Sequence, residues 1–176
     1  MNKKLKLEEL NRPSVEEFKN SKKTPIVIVL DNIRSLHNIG SIFRTADAFA
    51  IEQIILCGIT AQPPHREITK SALGATKSVS WKYFEKTIDV IHELKNLGYY
   101  IISVEQTENS ISLEKISLVN SQKCALIFGN EVDGVEQEAI NQSDITVELA
   151  QFGTKHSLNV SVCAGIVLWE LKKFYT

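Results

Sequence analysis

Apolar residues along this chain follow two different patterns. PIVIVL, IEQIILCG, YYIISVE and CALIFG are short, nearly continuous apolar runs rich in β-branched residues, a pattern typical of buried strands. TIDVIHELKNLG instead has apolar residues at helical spacing and ends at Gly98, which predicts an amphipathic helix. This alternation of buried strands and helices predicts an α/β domain with a mostly parallel sheet flanked by helices.

The remaining segments continue the alternation. Strands are predicted at SVSWKYF and DITVEL, and helices at residues 38–50 and VEQEAINQS. REITKSALGATKSV is predicted to be partly helical, and ISLEKISL a short helix or loop. The last helix is predicted in SLNVSVCAGIVLWELKKFY and is apolar on almost every side. One side can face the sheet, but the other needs a cover, for which a second subunit is suitable. We therefore expect a homodimer that buries part of residues 158–172, with Trp169 among the candidates.

The first 23 residues have a different character. They are polar and rich in lysine, and their helical pattern around Leu7–Leu10 and Val15–Phe18 is interrupted by Pro13. We predict a short N-terminal extension at residues 1–23 and a single folded domain over residues 24–176.

Composition indicates a cytoplasmic globular protein. Apolar residues make up 43% and charged residues 23% of the 176 residues. No apolar h-region follows Met1, and the longest apolar run, near VCAGIVLW, is shorter than the ~20 residues of a membrane span. The three cysteines, Cys57, Cys124 and Cys163, stand singly in hydrophobic segments, which favours reduced core thiols over disulfides.

Charge is distributed unevenly along the chain. The net charge is −1, but residues 1–82 hold 13 Lys and Arg against 8 Asp and Glu, and residues 83–176 hold 7 against 13. Such asymmetry permits a basic nucleic-acid-binding face, and it also fits an ordinary solvated surface.

Three loops with unusual polar residues follow predicted strands: DNIRSLHNIG, GNEVDG and QFGTKHSLN. In open α/β sheets, ligands bind beyond the carboxyl ends of the strands. GNEVDG also reads as a plain turn, and Ser157 or Asn159 at the start of the last helix could be a helix cap. In the helix after the first loop, Ile39, Phe43 and Ala46 form a core-facing stripe, and Arg44 projects from nearly the opposite side. The convergence of three such loops predicts a site at this edge of the sheet.

Several common sites are not supported by the sequence. GxGxxG, GxxxxGK[ST], CxxC, HExxH and GxSxG do not occur, and the four histidines are scattered. We therefore expect no metal and neither a dinucleotide nor a P-loop cradle.

HNIGSIFRTADAF, ALIFGNEVDGV and SLNVSVCAGIVLWE, in this order, resemble the three motifs of the SpoU/TrmH-type RNA ribose 2′-O-methyltransferases of the SPOUT superfamily. The resemblance covers about residues 25–172. It implies an S-adenosylmethionine-dependent enzyme that methylates a ribose 2′-hydroxyl in tRNA or rRNA. It also implies a homodimer and a C-terminal trefoil knot that forms the cofactor pocket.

The resemblance also implies roles for individual residues. Catalytic positions are Asn38, Arg44, Glu131, Ser157 and Asn159, and cofactor-binding positions are Gly129, Leu149 and Leu158. Gly129→Val is then expected to block the cofactor while the fold survives. If Gly129 only serves the turn, the same substitution unfolds the protein. Ala150 stands where many family members have proline.

The role of Arg44 has two readings. Its guanidinium titrates above ~12, so we favour a clamp on a phosphate or on developing oxyanion charge. Proton abstraction from the 2′-hydroxyl by a deprotonated Arg44 is the alternative. Competing functions for the whole chain are an RNA-binding module without catalysis and a small-molecule enzyme that uses a nucleotide cofactor. The sequence leaves the RNA and the methylated nucleotide open.

Overall fold

The computed structural model describes residues 2–175, apart from the Leu7 side chain. Its seven strands form one sheet in the order β3-β2-β1-β6-β4-β7-β5, and every neighbouring pair is parallel. The strands are β1 (Thr24–Asp31), β2 (Ile51–Cys57), β3 (Ser80–Phe84), β4 (Tyr100–Val104), β5 (Ile111–Ser112), β6 (Cys124–Phe128) and β7 (Ile145–Glu148). The predicted α/β class with a parallel sheet is confirmed.

Helices cover both faces of the sheet. They are α1 (Val15–Asn20), α2 (Leu36–Ala48), α3 (Arg66–Ala72), α4 (Ala75–Ser78), α5 (Thr87–Asn96), α6 (Gln137–Gln142) and α7 (Val160–Lys172), with 3₁₀ turns at Leu7–Leu10, Leu113–Lys115 and Lys173–Tyr175. The segment ISLEKISL, predicted as a short helix or loop, contains the two-residue strand β5 and a 3₁₀ turn. None of the helices within residues 2–175 is both long enough and apolar enough to cross a membrane.

The alternation of side chains along β1 explains the two-sided core. Ile26, Ile28 and Leu30 face the side covered by α2, α3 and α7, whereas Val27 and Val29 face the side covered by α5 and α6. Because both faces are buried, the strand reads as a continuous apolar run. Each fully buried aliphatic side chain of this kind contributes about 1.5–3 kcal/mol of transfer free energy.

Helices α2 and α3 approach each other unusually closely at Gly40. A Cβ atom at this position would lie 2.0 Å from Ser71 Oγ and 2.5 Å from the carbonyl oxygen of Ile68. No side chain fits there, which gives a packing reason for a glycine in the first turns of α2. The close contact fixes α3 against the helix that carries Arg44.

Among the described side chains of residues 2–23, Phe18 is the one buried in the domain. Helix α1 is capped by Ser14, whose Oγ accepts from the Glu17 N–H, and Glu17 accepts in turn from the Ser14 N–H. Phe18 is 9% exposed and joins the core on the α2 side, while its neighbours in α1 are exposed. The predicted division at residue 24 coincides with the start of β1 and remains a prediction.

Candidate active site

Three loops meet at the carboxyl end of the central strands. Residues 32–35 follow β1, residues 129–134 follow β6, and residues 149–159 follow β7. Strands β1, β6, β4 and β7 are consecutive neighbours in the sheet, and all run in one direction. The loops therefore emerge side by side, as the strand-end rule predicts.

A chain of side-chain hydrogen bonds joins the three loops; we call it the polar relay, and its members are Glu131, Asn38 and Asn159. Asn38 Nδ2 donates to Glu131 Oε1 at 2.9 Å, and Asn159 Nδ2 donates to Asn38 Oδ1 at 3.0 Å. Asn38 lies 93 residues from Glu131 and 121 from Asn159 along the chain. The relay thus connects all three sequence motifs in space.

Glu131 also holds the beginning of α2. Its carboxylate accepts from the backbone N–H of Arg34 at 3.1 Å and of Ser35 at 3.2 Å. Burial raises the pKa of Glu131, but the hydrogen bonds from the Asn38 amide and the two backbone N–H groups outweigh it, so the net pKa lies below the ordinary value. The carboxylate is therefore charged at neutral pH and ties residues 34–38 to the loop after β6.

Asn159 performs two tasks with one side chain. Its Oδ1 accepts from the Ser161 N–H at 3.0 Å and from the Val162 N–H at 3.4 Å, which caps α7, while its Nδ2 serves the relay. Helix α7 begins at Val160, so the prediction that Ser157 stands at the start of this helix is wrong. Ser157 lies in the preceding loop because Asn159 already supplies the cap.

Arg44 stands apart from this relay. It is exposed on the solvent side of α2, and no hydrogen bond or ion pair engages it within residues 2–175. Ile39, Phe43 and Ala46 are fully buried on the other side of the helix, as their spacing predicts. The guanidinium is therefore available to an external ligand and is positioned only through the helix that the relay holds.

A cavity of about 480 Å³ opens beside the relay. Its walls come from the ends of β4, β6 and β7, the loops that follow them, and the first turn of α7. Six of the eight residues expected at the site line it: Gly129, Glu131, Leu149, Ser157, Leu158 and Asn159. Asn38 and Arg44 do not line it. The volume falls within the range of roughly 300–1,000 Å³ that is usual for small-molecule sites.

Gly129 is required by the loop rather than by the cavity alone. An added Cβ would lie 2.0 Å from the carbonyl carbon of Gly134 and from the nitrogen of Val135. The expectation that a side chain at Gly129 would block the cavity and leave the fold intact is therefore wrong. The backbone of the turn passes too close for any side chain.

Sequence reasoning missed two residues at the end of β4. Glu105 accepts from the Val135 N–H at 3.0 Å, and Gln106 Nε2 donates to the His156 carbonyl at 3.0 Å. These contacts tie β4 to the loops after β6 and before α7. The signal was present, since Glu105 directly follows a buried strand and the strand-end rule applies to it as well.

The cavity suits a partly apolar, positively charged ligand. Leu149, Leu158 and Val160 supply apolar surface, and carboxylates supply negative charge, while neither Lys nor Arg is among the lining residues of the described chain. Within residues 2–175 no group of three or more His, Cys, Asp or Glu side chains is arranged to hold a metal ion. S-adenosylmethionine, with adenosine, methionine and a sulfonium cation, fits these apolar and acidic walls.

Comparison with known proteins gives consistent matches. The model of the SpoU rRNA Methylase family matches residues 25–169. A 23S rRNA (guanosine-2′-O-)-methyltransferase from Neisseria meningitidis is 32% identical over 156 residues, which cover 89% of this chain and 61% of that protein. A tRNA (guanosine(18)-2′-O)-methyltransferase from Aquifex aeolicus is 27% identical over 163 residues, covering 90% and 74%. The chain thus spans about three fifths of the Neisseria relative's length.

Solved structures agree on the fold. The A. aeolicus TrmH/SpoU tRNA modifying enzyme superposes with a TM-score of 0.80 at 24% identity, covering 91% of this chain and 80% of that chain. An AdoMet-bound rRNA methyltransferase from Sinorhizobium meliloti gives 0.80 at 26% identity, covering 89% and 59%.

Proposed function

The chain belongs to the SpoU rRNA methylase family, and on this premise we propose that it transfers a methyl group from S-adenosylmethionine to a ribose 2′-hydroxyl in tRNA or rRNA. The observation that carries the proposal is the polar relay, which joins residues from all three motifs. It lies beside a cavity whose apolar and acidic walls suit S-adenosylmethionine. Relatives named as guanosine-2′-O-methyltransferases of rRNA and tRNA support the same reaction.

S-adenosylmethionine supplies an activated methyl group, so the residues of the chain mainly have to align the acceptor. In the proposed mechanism, Gly129, Leu149 and Leu158 hold the cofactor in the cavity that they line. Glu131 and Asn38 fix the first turn of α2, and Asn159 connects this turn to α7. The relay is thus a positioning device for the acceptor side of the reaction.

Arg44 is the proposed contact to the ribose or its phosphate. It lies almost two turns beyond Asn38 on α2, so the relay sets its position through a rigid helix. A guanidinium that stays protonated steadies oxyanion charge or clamps a phosphate bidentately. We favour this role, and we place Ser157, exposed in the loop before α7, as a second polar contact to the substrate. The lysine variant described below tests whether this role needs the planar, two-pronged guanidinium.

A homodimer is the second part of the proposal. On α7, Val162, Ile166 and Trp169 are 51%, 42% and 72% exposed, and their spacing places them on one side of the helix. Trp169 makes an edge contact with Phe49, with ring centroids 6.3 Å apart. An exposed apolar stripe of this kind is typical of a subunit interface. It supports the predicted dimer through residues 158–172.

Two further parts of the proposal concern the knot and the location. We propose that residues 129–134 and 149–159 belong to a C-terminal trefoil knot. Both segments line the same cavity, which supports this arrangement. We also propose that the enzyme works in the cytoplasm, where its tRNA or rRNA substrate would be met.

The RNA is proposed to lie across α3 and the loop after β1. Arg66, Lys70 and Lys77 are exposed on or next to α3, and Arg34 is exposed beside Glu131. Helix α3 packs directly on α2 at Gly40, so Arg66 and Lys70 are held next to the helix that carries Arg44. Cations near the reactive ribose would bind flanking phosphates.

Transfer of labelled methyl groups to RNA tests the function. The protein is incubated with total RNA from a strain that lacks it and with methyl-labelled S-adenosylmethionine. A 2′-O-methyl group blocks alkaline cleavage of the adjacent phosphodiester, so the label should be recovered in alkali-resistant dinucleotides. Label in base-modified mononucleotides would contradict ribose methylation. RNA binding without cofactor binding would favour a non-catalytic module, and preference for another nucleotide ligand would favour a small-molecule enzyme.

A further inference from the structure

The walls of the cavity carry an excess of acidic side chains. Four of its lining residues are acidic: Glu105, Glu131, Asp133 and Glu148. No lysine or arginine is among the residues that line it in the described chain. The surroundings reinforce this sign, because residues 83–176, which supply all of the lining residues, hold 13 Asp and Glu against 7 Lys and Arg.

Two of these carboxylates are already engaged by the protein. Glu131 accepts from three N–H groups, and Glu105 accepts from the N–H of Gln106 at 2.7 Å and of Val135 at 3.0 Å. Their charge is partly balanced by these donors. Both carboxylates therefore have a structural role that accounts for them.

Glu148 has no such explanation. It is half-buried at the end of β7, and within residues 2–175 its carboxylate accepts no hydrogen bond and forms no ion pair. Asp133 also lacks a side-chain partner there, but it is exposed. A half-buried carboxylate without a donor keeps a charge that the protein does not balance, so a cation that enters the cavity can pair with it. Glu148 is thus the carboxylate most available to a cation in the cavity.

The thiol of Cys163 is a further lining group of the cavity, and its pKa is sensitive to Glu105. Burial, and then the negative charge of Glu105, raises the pKa of Cys163 to about 11. Burial is the larger cause and opposes any charge, but the contribution of Glu105 has the sign expected for negative potential at this wall.

We propose that these carboxylates, Glu148 foremost, make the cavity selective for charge, so that it holds S-adenosylmethionine more tightly than the product S-adenosylhomocysteine. The inference rests on the proposed function. Methyl transfer breaks the carbon–sulfur bond with its electron pair left on sulfur, forms the bond to the 2′-oxygen and releases the hydroxyl proton to solvent. The sulfonium charge therefore disappears, and the attraction of Glu148 for the ligand disappears with it. Loss of this attraction favours release of the product.

Calorimetric titration of the full chain tests the proposal with three ligands. They are S-adenosylmethionine, S-adenosylhomocysteine and sinefungin, in which a protonated amine stands in for the sulfonium. Glu148→Gln should weaken binding of the two cationic ligands about tenfold, or ~1.4 kcal/mol, and should change S-adenosylhomocysteine binding by less than about twofold, as expected when only a charge–charge interaction is removed. Glu138→Gln, an exposed neutralisation outside the cavity, should leave all three affinities unchanged.

Equal weakening of the binding of all three ligands by Glu148→Gln would show a packing role and overturn charge selectivity. Unchanged affinities for all three ligands would also overturn it. Should the variant fail to fold, the wild-type protein gives a second test. Added sodium chloride should weaken the cationic ligands and spare S-adenosylhomocysteine. A ratio of affinities that does not respond to salt overturns the inference while the methyltransferase proposal stands. A wild-type protein that binds none of the three ligands overturns both.

Discussion

Asn38 connects the other two members of the polar relay, so its replacement should loosen all three loops together. In Asn38→Ala the chain loses a hydrogen bond to the charged Glu131 and one to Asn159. A hydrogen bond to a charged group contributes about 1.5–3 kcal/mol and a neutral one about 0.5–1.5 kcal/mol. Asn38 is only 8% exposed, but Glu131 and Asn159 are exposed and can bind water instead. We therefore expect a loss near the lower end, about 1–2.5 kcal/mol in the free energy of unfolding.

Asn38→Asp gives a sharper test because it changes charge at nearly constant size. In the wild type the pKa of Glu131 is lowered, so its stabilising contribution is present at neutral pH and is lost as pH falls through that lowered pKa. In Asn38→Asp, two carboxylates would face each other and would share a proton. One of them then has a folded-state pKa above its unfolded value, so the variant is destabilised at neutral pH and recovers as pH falls.

Urea unfolding from neutral pH down to below 4.5, the ordinary carboxyl pKa, distinguishes these slopes. The Glu131 contribution should be constant in the wild type until pH reaches that value and fall below it, whereas Asn38→Asp should gain stability from neutral pH downward as the shared proton binds. Asn109→Asp, which adds the same charge at an exposed loop position, is the matched control and should follow the wild type. The reasoning fails if Asn38→Ala stays within about 0.5 kcal/mol of the wild type, the usual size of a surface substitution. It also fails if Asn38→Asp follows the wild-type slope.

Four other changes test separate parts of the molecule. Gly129→Ala should strongly lower the urea midpoint, because the new Cβ would lie 2.0 Å from loop backbone, and an unchanged midpoint would contradict the packing argument. Ile166→Glu should give a folded monomer in light scattering, whereas a surviving dimer would place the interface elsewhere. Arg44→Ala should retain cofactor affinity and lose methyl transfer by roughly 100-fold or more, with poor rescue by Arg44→Lys if a bidentate clamp is needed; full activity in Arg44→Ala would return this residue to the solvated surface. Replacing Arg66 and Lys70 by Ala should reduce the salt dependence of RNA binding by about one unit of slope per phosphate contact, and an unchanged slope would mean that these residues are only solvated.

The sequence predicted the strands well because they are buried on both faces. PIVIVL and CALIFG contain no polar position that interrupts the apolar pattern. Their predicted ends agree with those of β1 and β6 within one or two residues. β5 was not foreseen, since two residues carry no period. The start of α7 was placed too early because Ser157 and Asn159 are both good caps, and only tertiary contacts select Asn159.

The site was predictable in its location and not in its connections. The strand-end rule and the motif order brought Asn38, Glu131 and Asn159 to one edge of the sheet. Their hydrogen bonds span 93 and 121 residues, a distance over which periodicity gives no information. The same limit explains why Glu105 and Glu148 were overlooked as cavity residues. The same holds for Gly40, whose packing neighbour Ser71 belongs to another helix.

The close contact at Gly40 has a consequence for how an RNA strand would be positioned on the protein. Because α2 and α3 touch backbone to backbone there, neither helix can slide without the other, and the offset between Arg44 and the cations of α3 is constant. The two helices would then hold a fixed distance between the phosphate site on α3 and Arg44. A phosphate bound on α3 would determine which ribose along the strand reaches the arginine. Selection of the nucleotide would depend on the bend and spacing of the RNA between those two points, so a strand of the right sequence in the wrong shape would present the wrong sugar.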